Sequence, residues 1–61
     1  MFDRIVHNPA ILGGKPTIKG TRISVEIILE WFASGGTVDG IVARYPALTS
    51  EDVEQAMQYA D

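Results

Sequence analysis

Sixty-one residues make one domain at most, and a body of this size buries only roughly 60% of the surface its unfolded chain exposes. With no cysteine and a single histidine, the chain has neither a disulfide to staple it nor the ligands of an ordinary structural zinc site. A net charge of −3 excludes a generic polycationic coat for nucleic acid, and no run approaches the roughly 18 apolar residues of a membrane helix.

The charges are not evenly spread. Over residues 1–23, Arg4, Lys15, Lys19 and Arg22 stand against Asp3, a net +3. Over residues 24–61, Arg44 stands against Glu26, Glu30, Asp39, Glu51, Asp52, Glu54 and Asp61, a net −6. The single domain therefore reads as a basic extended arm, 1–23, on an acidic helical body, 24–61. Such a split points to two surfaces with two partners; the plainer alternative is solvated charge with complementary ends. A hydrophobic fraction of 46% is high for so small a body and implies that a second subunit or protein buries part of it. The opening MFDRIVHNP carries Asp3 and Arg4 and lacks the apolar core of a signal peptide, so a cytoplasmic location is expected.

In chain order, Ile5–His7 forms a short extended run that ends at the turn signal Asn8-Pro9. Ala10-Ile11-Leu12 precedes Gly13-Gly14. The stretch GGKPTIKGTRIS then reads as a β-hairpin, with Lys15–Ile18 and Thr21–Ile23 as arms and Lys19-Gly20 as the tip. Ser24 caps a helix from Val25 to about Ser34, with Ile23 and Ile28 as a hydrophobic staple, and Gly35-Gly36 stops it. Thr37 caps a second helix from Val38 to about Tyr45. Gly40 weakens it by about 1 kcal/mol relative to alanine, and Pro46 ends it. Thr49 opens the third helix in a near capping box with Asp52, and Leu48 and Val53 make a second staple. The fold class is mostly α with a short N-terminal β-hairpin, a three-helix, helix-turn-helix-like domain.

The first helix is apolar nearly all round. Val25, Ile28, Leu29 and Phe32 form a core stripe, while Ile27 and Trp31 form a second apolar pair on another side. Either a second copy covers that pair, giving a homodimer, or the N-terminal strand does.

Motifs for chemistry fail. Gly14-Lys15-Pro16-Thr17 resembles a phosphate-binding loop, but Pro9 stands where the first glycine is needed and Pro16 where Ser or Thr is needed. His7 is the only imidazole, and no nucleophile–base pairing or cofactor motif accompanies it. No enzyme and no cofactor is expected. The third helix carries four acids and no base, which makes it a poor reader of DNA. If DNA is bound, the hairpin is the candidate, through Lys15, Lys19, Thr21 and Arg22; the alternative is that its glycines serve only the turn and its lysines only solubility.

One block carries a resemblance. Asn8-Pro9, Ile11-Leu12-Gly13-Gly14-Lys15-Pro16, Ile18-Lys19-Gly20-Thr21-Arg22-Ile23 and Val25, with Tyr45-Pro46, Leu48-Thr49 and Asp52-Val53, resemble the small prokaryotic proteins catalogued as domain of unknown function 433. The likeness runs from about Ile5 to Ala60. It departs at Ser24, where proline is common, and at Val38-Asp39-Gly40, where acids are common. The resemblance implies a helix-turn-helix-like fold and an antitoxin-like protein paired with a PIN-like nuclease toxin, one region binding the toxin and another operator DNA. The alternatives are a stand-alone DNA-binding regulator and an adaptor subunit. Partner contacts are expected at Ile27 and Trp31 for self-association, and at Glu51, Glu54 and Asp61 for a cationic nuclease.

Overall fold

The computed structural model describes residues 2–60. Two short strands come first, β1 (Ile5–His7) and β2 (Pro16–Ile18), then three helices, α1 (Val25–Ala33), α2 (Val38–Arg44) and α3 (Ser50–Ala60). This is the expected hairpin followed by three helices. No helix among the described residues is long and apolar enough to cross a membrane.

The hairpin differs from expectation in its pairing. β2 pairs antiparallel with β1, in the register Ile5↔Ile18, Val6↔Thr17 and His7↔Pro16. Pro16 is tolerated because it opens the strand. Thr21–Ile23 is not a strand. The Thr21 hydroxyl donates to Ile18 O at 2.9 Å and accepts from Ile23 N at 3.0 Å, which closes a compact turn in place of an extended arm. Gly20 sits at φ 81°, and Thr21 N–H donates to Ile18 O at 3.0 Å, so the tip itself falls at Lys19-Gly20 as expected. The chain leaving the turn still touches β2 through Ile18 N–H to Ile23 O, 2.9 Å, and a bridge of Thr17 to Ser24.

The helix ends follow their local chemistry. Ser24 Oγ accepts from Ile27 N and Thr37 Oγ1 from Gly40 N, both at 3.0 Å. At the end of α1, Gly35 N–H donates to Phe32 O and Gly36 N–H to Trp31 O, with Gly35 at φ 91°, a Schellman closure. Before α3, Thr49 N–H donates to Asp52 Oδ2 at 3.0 Å and Asp52 N–H to Thr49 Oγ1 at 3.2 Å, completing the capping box reciprocally.

The core gathers Ile5, Ile18, Val25, Ile28, Ile41, Leu48, Val53 and Ala56, with Leu29, Trp31 and Phe32 partly buried against it. Both staples are in place: Ile28, Leu48 and Val53 are buried and Ile23 packs at the margin.

Part of Trp31 is covered within the chain, by a segment that neither expectation named. The indole folds over the α1–α2 connection, its Nε1–H donating to Thr37 O at 2.9 Å. Gly36 and Gly40 lie against the ring: a Cβ on Gly36 would fall 2.2 Å from Nε1, and one on Gly40 3.1 Å from Cζ2. Gly40 thus has a packing role that helix propensity alone did not suggest.

Asp52 does more than cap α3. It is fully buried and accepts from Arg4 Nε at 2.6 Å. Arg4 N–H donates to Gln55 Oε1 at 2.9 Å, and Gln55 Nε2–H to Asp3 Oδ1 at 2.7 Å. One of the four cations of the basic arm is therefore committed to latching that arm onto α3.

Candidate functional site

A β-ribbon sends alternate side chains to opposite faces. Ile5 enters the core and His7 meets α3, its Nε2 lying 3.2 Å from the Tyr59 hydroxyl. His7 Nδ1 lies 3.3 Å from the Gly14 carbonyl, a contact in which only the ring can donate. Val6, between them, points the other way. On that side an open groove of about 560 Å³ runs between the loop after β1 and the turn after β2, lined by Val6, Asn8, Ile11, Lys19, Gly20, Thr21 and Arg22.

The groove has an apolar floor, Val6 and Ile11, and a cationic rim, Lys19 and Arg22. No acid lines it. The salt bridges among the described residues are Arg4–Asp52 and Lys15–Glu26, so Lys19 and Arg22 have no ion-pair partner there. Asp3 lies near enough for Lys19 to contribute to lowering its pKa, but the main cause is the hydrogen bond from Gln55. For Asp52, burial raises the pKa; the hydrogen bonds from Arg4 and Thr49 outweigh it and hold the carboxyl below the usual carboxylate range.

The four hairpin residues expected to touch nucleic acid do not act alike. Lys19 and Arg22 are brought together in the groove. Thr21 lines it, but its hydroxyl already serves the turn. Lys15 lies at the opposite end of β2, its Nζ 3.8 Å from Glu26 on α1, an exposed pair of little strength. Asn8 and Ile11 complete the groove and had not been singled out. The signal for them was the Asn8-Pro9 turn, since a loop that folds back on itself must flank the ribbon it leaves; Ala10 N–H donates to Asn8 Oδ1 at 2.9 Å and Ile11 N–H to Asn8 O at 2.8 Å.

The expected partner residues are also separated. Glu51 and Glu54 are exposed on the outer face of α3; Glu51 accepts only a long hydrogen bond, 3.4 Å, from Gln55. Asp61 lies outside the described residues. Ile27 is exposed, whereas Trp31 is engaged within the chain. A second, apolar groove of about 390 Å³ lies between α1 and the end of α3, with Pro16, Val25, Leu29, Tyr59 and Ala60 in its walls.

The fold and site define a small hairpin-and-three-helix domain with a groove that carries two cations beside its turn and with exposed acids on its third helix. The family described as Protein of unknown function (DUF433) matches residues 5–60, and the chain belongs to that family. It is 33% identical over 57 residues to "Uncharacterized protein y4eO" of Sinorhizobium fredii, covering 93% of this chain and 26% of that protein. It is equally 33% identical to a DUF433 member protein of Anabaena variabilis whose crystal structure is known, with a TM-score of 0.88, covering 93% of this chain and 56% of that one. The chain thus spans about a quarter of the curated relative and just over half of the solved one.

Proposed function

We propose that the chain is a non-enzymatic, cytoplasmic, antitoxin-like binding domain that meets nucleic acid with its hairpin groove and a cationic protein, of the PIN-like nuclease kind, with the outer face of α3. The observation that carries the reading is the separation of charge in space. Lys19 and Arg22 line a groove without acids and have no ion-pair partner among the described residues, while Glu51 and Glu54 are exposed on α3. A polyanion is drawn to the groove, whose lining carries two cations and no acid, and a cationic surface to the exposed acids of α3. A nuclease that binds RNA must present positive charge, and an acidic helix competes for that surface.

The test uses the intact protein, duplex DNA from its own promoter, and the nuclease recovered with it from its native cell. Lys19→Gln with Arg22→Gln weakens DNA binding and leaves nuclease binding intact; Glu51→Lys with Glu54→Lys slows nuclease association, most at low salt, and leaves DNA binding intact. If each pair of changes affects both partners equally, or neither, the two-surface reading fails. A stand-alone DNA-binding regulator would show only the first effect, with no nuclease recovered.

A further inference from the structure

We infer that the hairpin groove is a site for a sugar phosphate, with the phosphate held at the Lys19–Arg22 turn and the sugar resting on Val6 and Ile11. This deepens, and rests on, the nucleic-acid half of the reading above. Three observations carry it. Two cations three residues apart share one tight turn and have no ion-pair partner among the described residues. The same turn offers backbone donors: its hydrogen bonds use the N–H groups of Lys19, Thr21 and Ile23, and leave those of Gly20 and Arg22 without an acceptor among the described residues. Gly20, at φ 81° and with no heavy atom within 4 Å of a built Cβ, leaves the backbone open to close approach by an oxyanion.

The remaining lining sets the rest of the ligand. Beneath the cations lies an apolar floor of Val6 and the half-buried Ile11, suited to the carbon face of a ribose or deoxyribose and not to a bare inorganic ion. Asn8 Oδ1 accepts from Ala10 N–H, while its side-chain N–H donors make no hydrogen bond among the described residues. No aromatic ring lines the groove, so a base cannot be held there by stacking on one, as single-strand binders commonly do. The lining therefore suits contact with backbone phosphate and sugar and offers no platform on which a base could stack. The sugar phosphate can come from a nucleic-acid strand or from a free phosphorylated sugar.

The experiment follows backbone amide resonances of the full chain during two separate titrations, with a mixed-sequence duplex oligonucleotide and with ribose 5-phosphate. Shifts at Gly20 and Arg22 in both support the site and identify the strand backbone as its source. Lys19→Gln with Arg22→Gln then lowers the log–log salt slope for the duplex by about 2, at about 0.9 per phosphate contact. Ile11→Glu, outside the core, weakens both ligands at least tenfold, and Lys15→Gln changes neither. Shifts with ribose 5-phosphate alone support the site and overturn the nucleic-acid reading. Duplex binding that is weakened by Lys19→Gln with Arg22→Gln but leaves the Gly20 and Arg22 amides still, with no response to ribose 5-phosphate, overturns the site and leaves that reading standing; duplex binding that moves only α3 amides overturns both. No response to either ligand overturns both.

Discussion

Replacing Gly36 by alanine should damage this protein more than any other single added methyl group at its glycines. Gly36 has no positive φ, so the effect is steric and not conformational. The new Cβ would lie 2.2 Å from Trp31 Nε1, 2.4 Å from Cδ1 and 2.6 Å from Cε2, whereas carbon atoms rest about 3.5–4.0 Å apart. The ring must retreat by more than an ångström. It then loses its 2.9 Å hydrogen bond to Thr37 O, about 1 kcal/mol net. Forced repacking adds about 1–3 kcal/mol. The sum, about 2–4 kcal/mol, is a large share of the roughly 3–9 kcal/mol expected for a chain of this length. At about 4–8 °C per kcal/mol in so small a domain, Tm falls by on the order of 8–32 °C. Thermal unfolding by circular dichroism measures the loss. Trp31 is the only tryptophan, so its emission reports directly on the displaced ring. In a Trp31→Ala background the same glycine change should cost little, because the two residues act through one contact. A Gly36→Ala protein that melts within about 3 °C of the parent, with unshifted emission, would refute the packing argument.

Thr17 Oγ1 is fully buried without a hydrogen-bond partner among the described residues, so Thr17→Val should be neutral to stabilising, by up to about 2 kcal/mol; a clear loss of stability in urea unfolding would show a partner for the hydroxyl. Asp52 has a lowered pKa in the folded state, so its contribution is present above the ordinary carboxylate range and is lost as pH falls through and below it; Asp52→Asn should flatten that acid limb of the stability–pH curve. Leu12 holds an exposed left-handed φ of 51°, and Leu12→Gly should raise the urea midpoint by the equivalent of up to about 1 kcal/mol.

The helical body was legible because its boundaries are local chemistry. Ser24, Thr37 and Thr49 announce three caps; Gly35-Gly36 and Pro46 announce two ends; each acts within four or five residues. The hairpin was half legible for the same reason. The Lys19-Gly20 turn is local and was found, but the partner of β2 lies nine to thirteen positions away in sequence, and three-residue strands carry too little alternation to choose between Ile5–His7 and Thr21–Ile23. The Trp31 packing was hidden because its receptor is an absence: Gly36 and Gly40 read as a helix stop and a weak helix position, not as space for an indole. The groove was half hidden as well. Lys19 and Arg22 stood out by charge, but Lys15 looked equivalent until the ribbon placed it at the other end of β2, and Asn8 and Ile11 carry no charge to mark them.

Arg4 shows why charge read along a chain is not charge read on a surface. Counted with Lys15, Lys19 and Arg22, it looks like a fourth contact for a polyanion. In the fold its side chain is held by the buried Asp52, its N–H by Gln55, and its carbonyl accepts the Lys19 N–H at 2.8 Å. One residue thus ties the turn that carries Lys19 to the helix that carries Glu51 and Glu54. Arg4→Ala strands a buried carboxylate and loosens the groove at once. Any polyanion binding it abolishes is lost through the fold. Lys19→Gln and Arg22→Gln, at exposed side chains without ion pairs among the described residues, leave the melting temperature near that of the parent. The discriminating comparison is therefore stability alongside affinity. If Arg4→Ala instead retained the parent melting temperature and altered only the salt slope of binding, Arg4 would belong to the groove, and the latch would carry no structural weight.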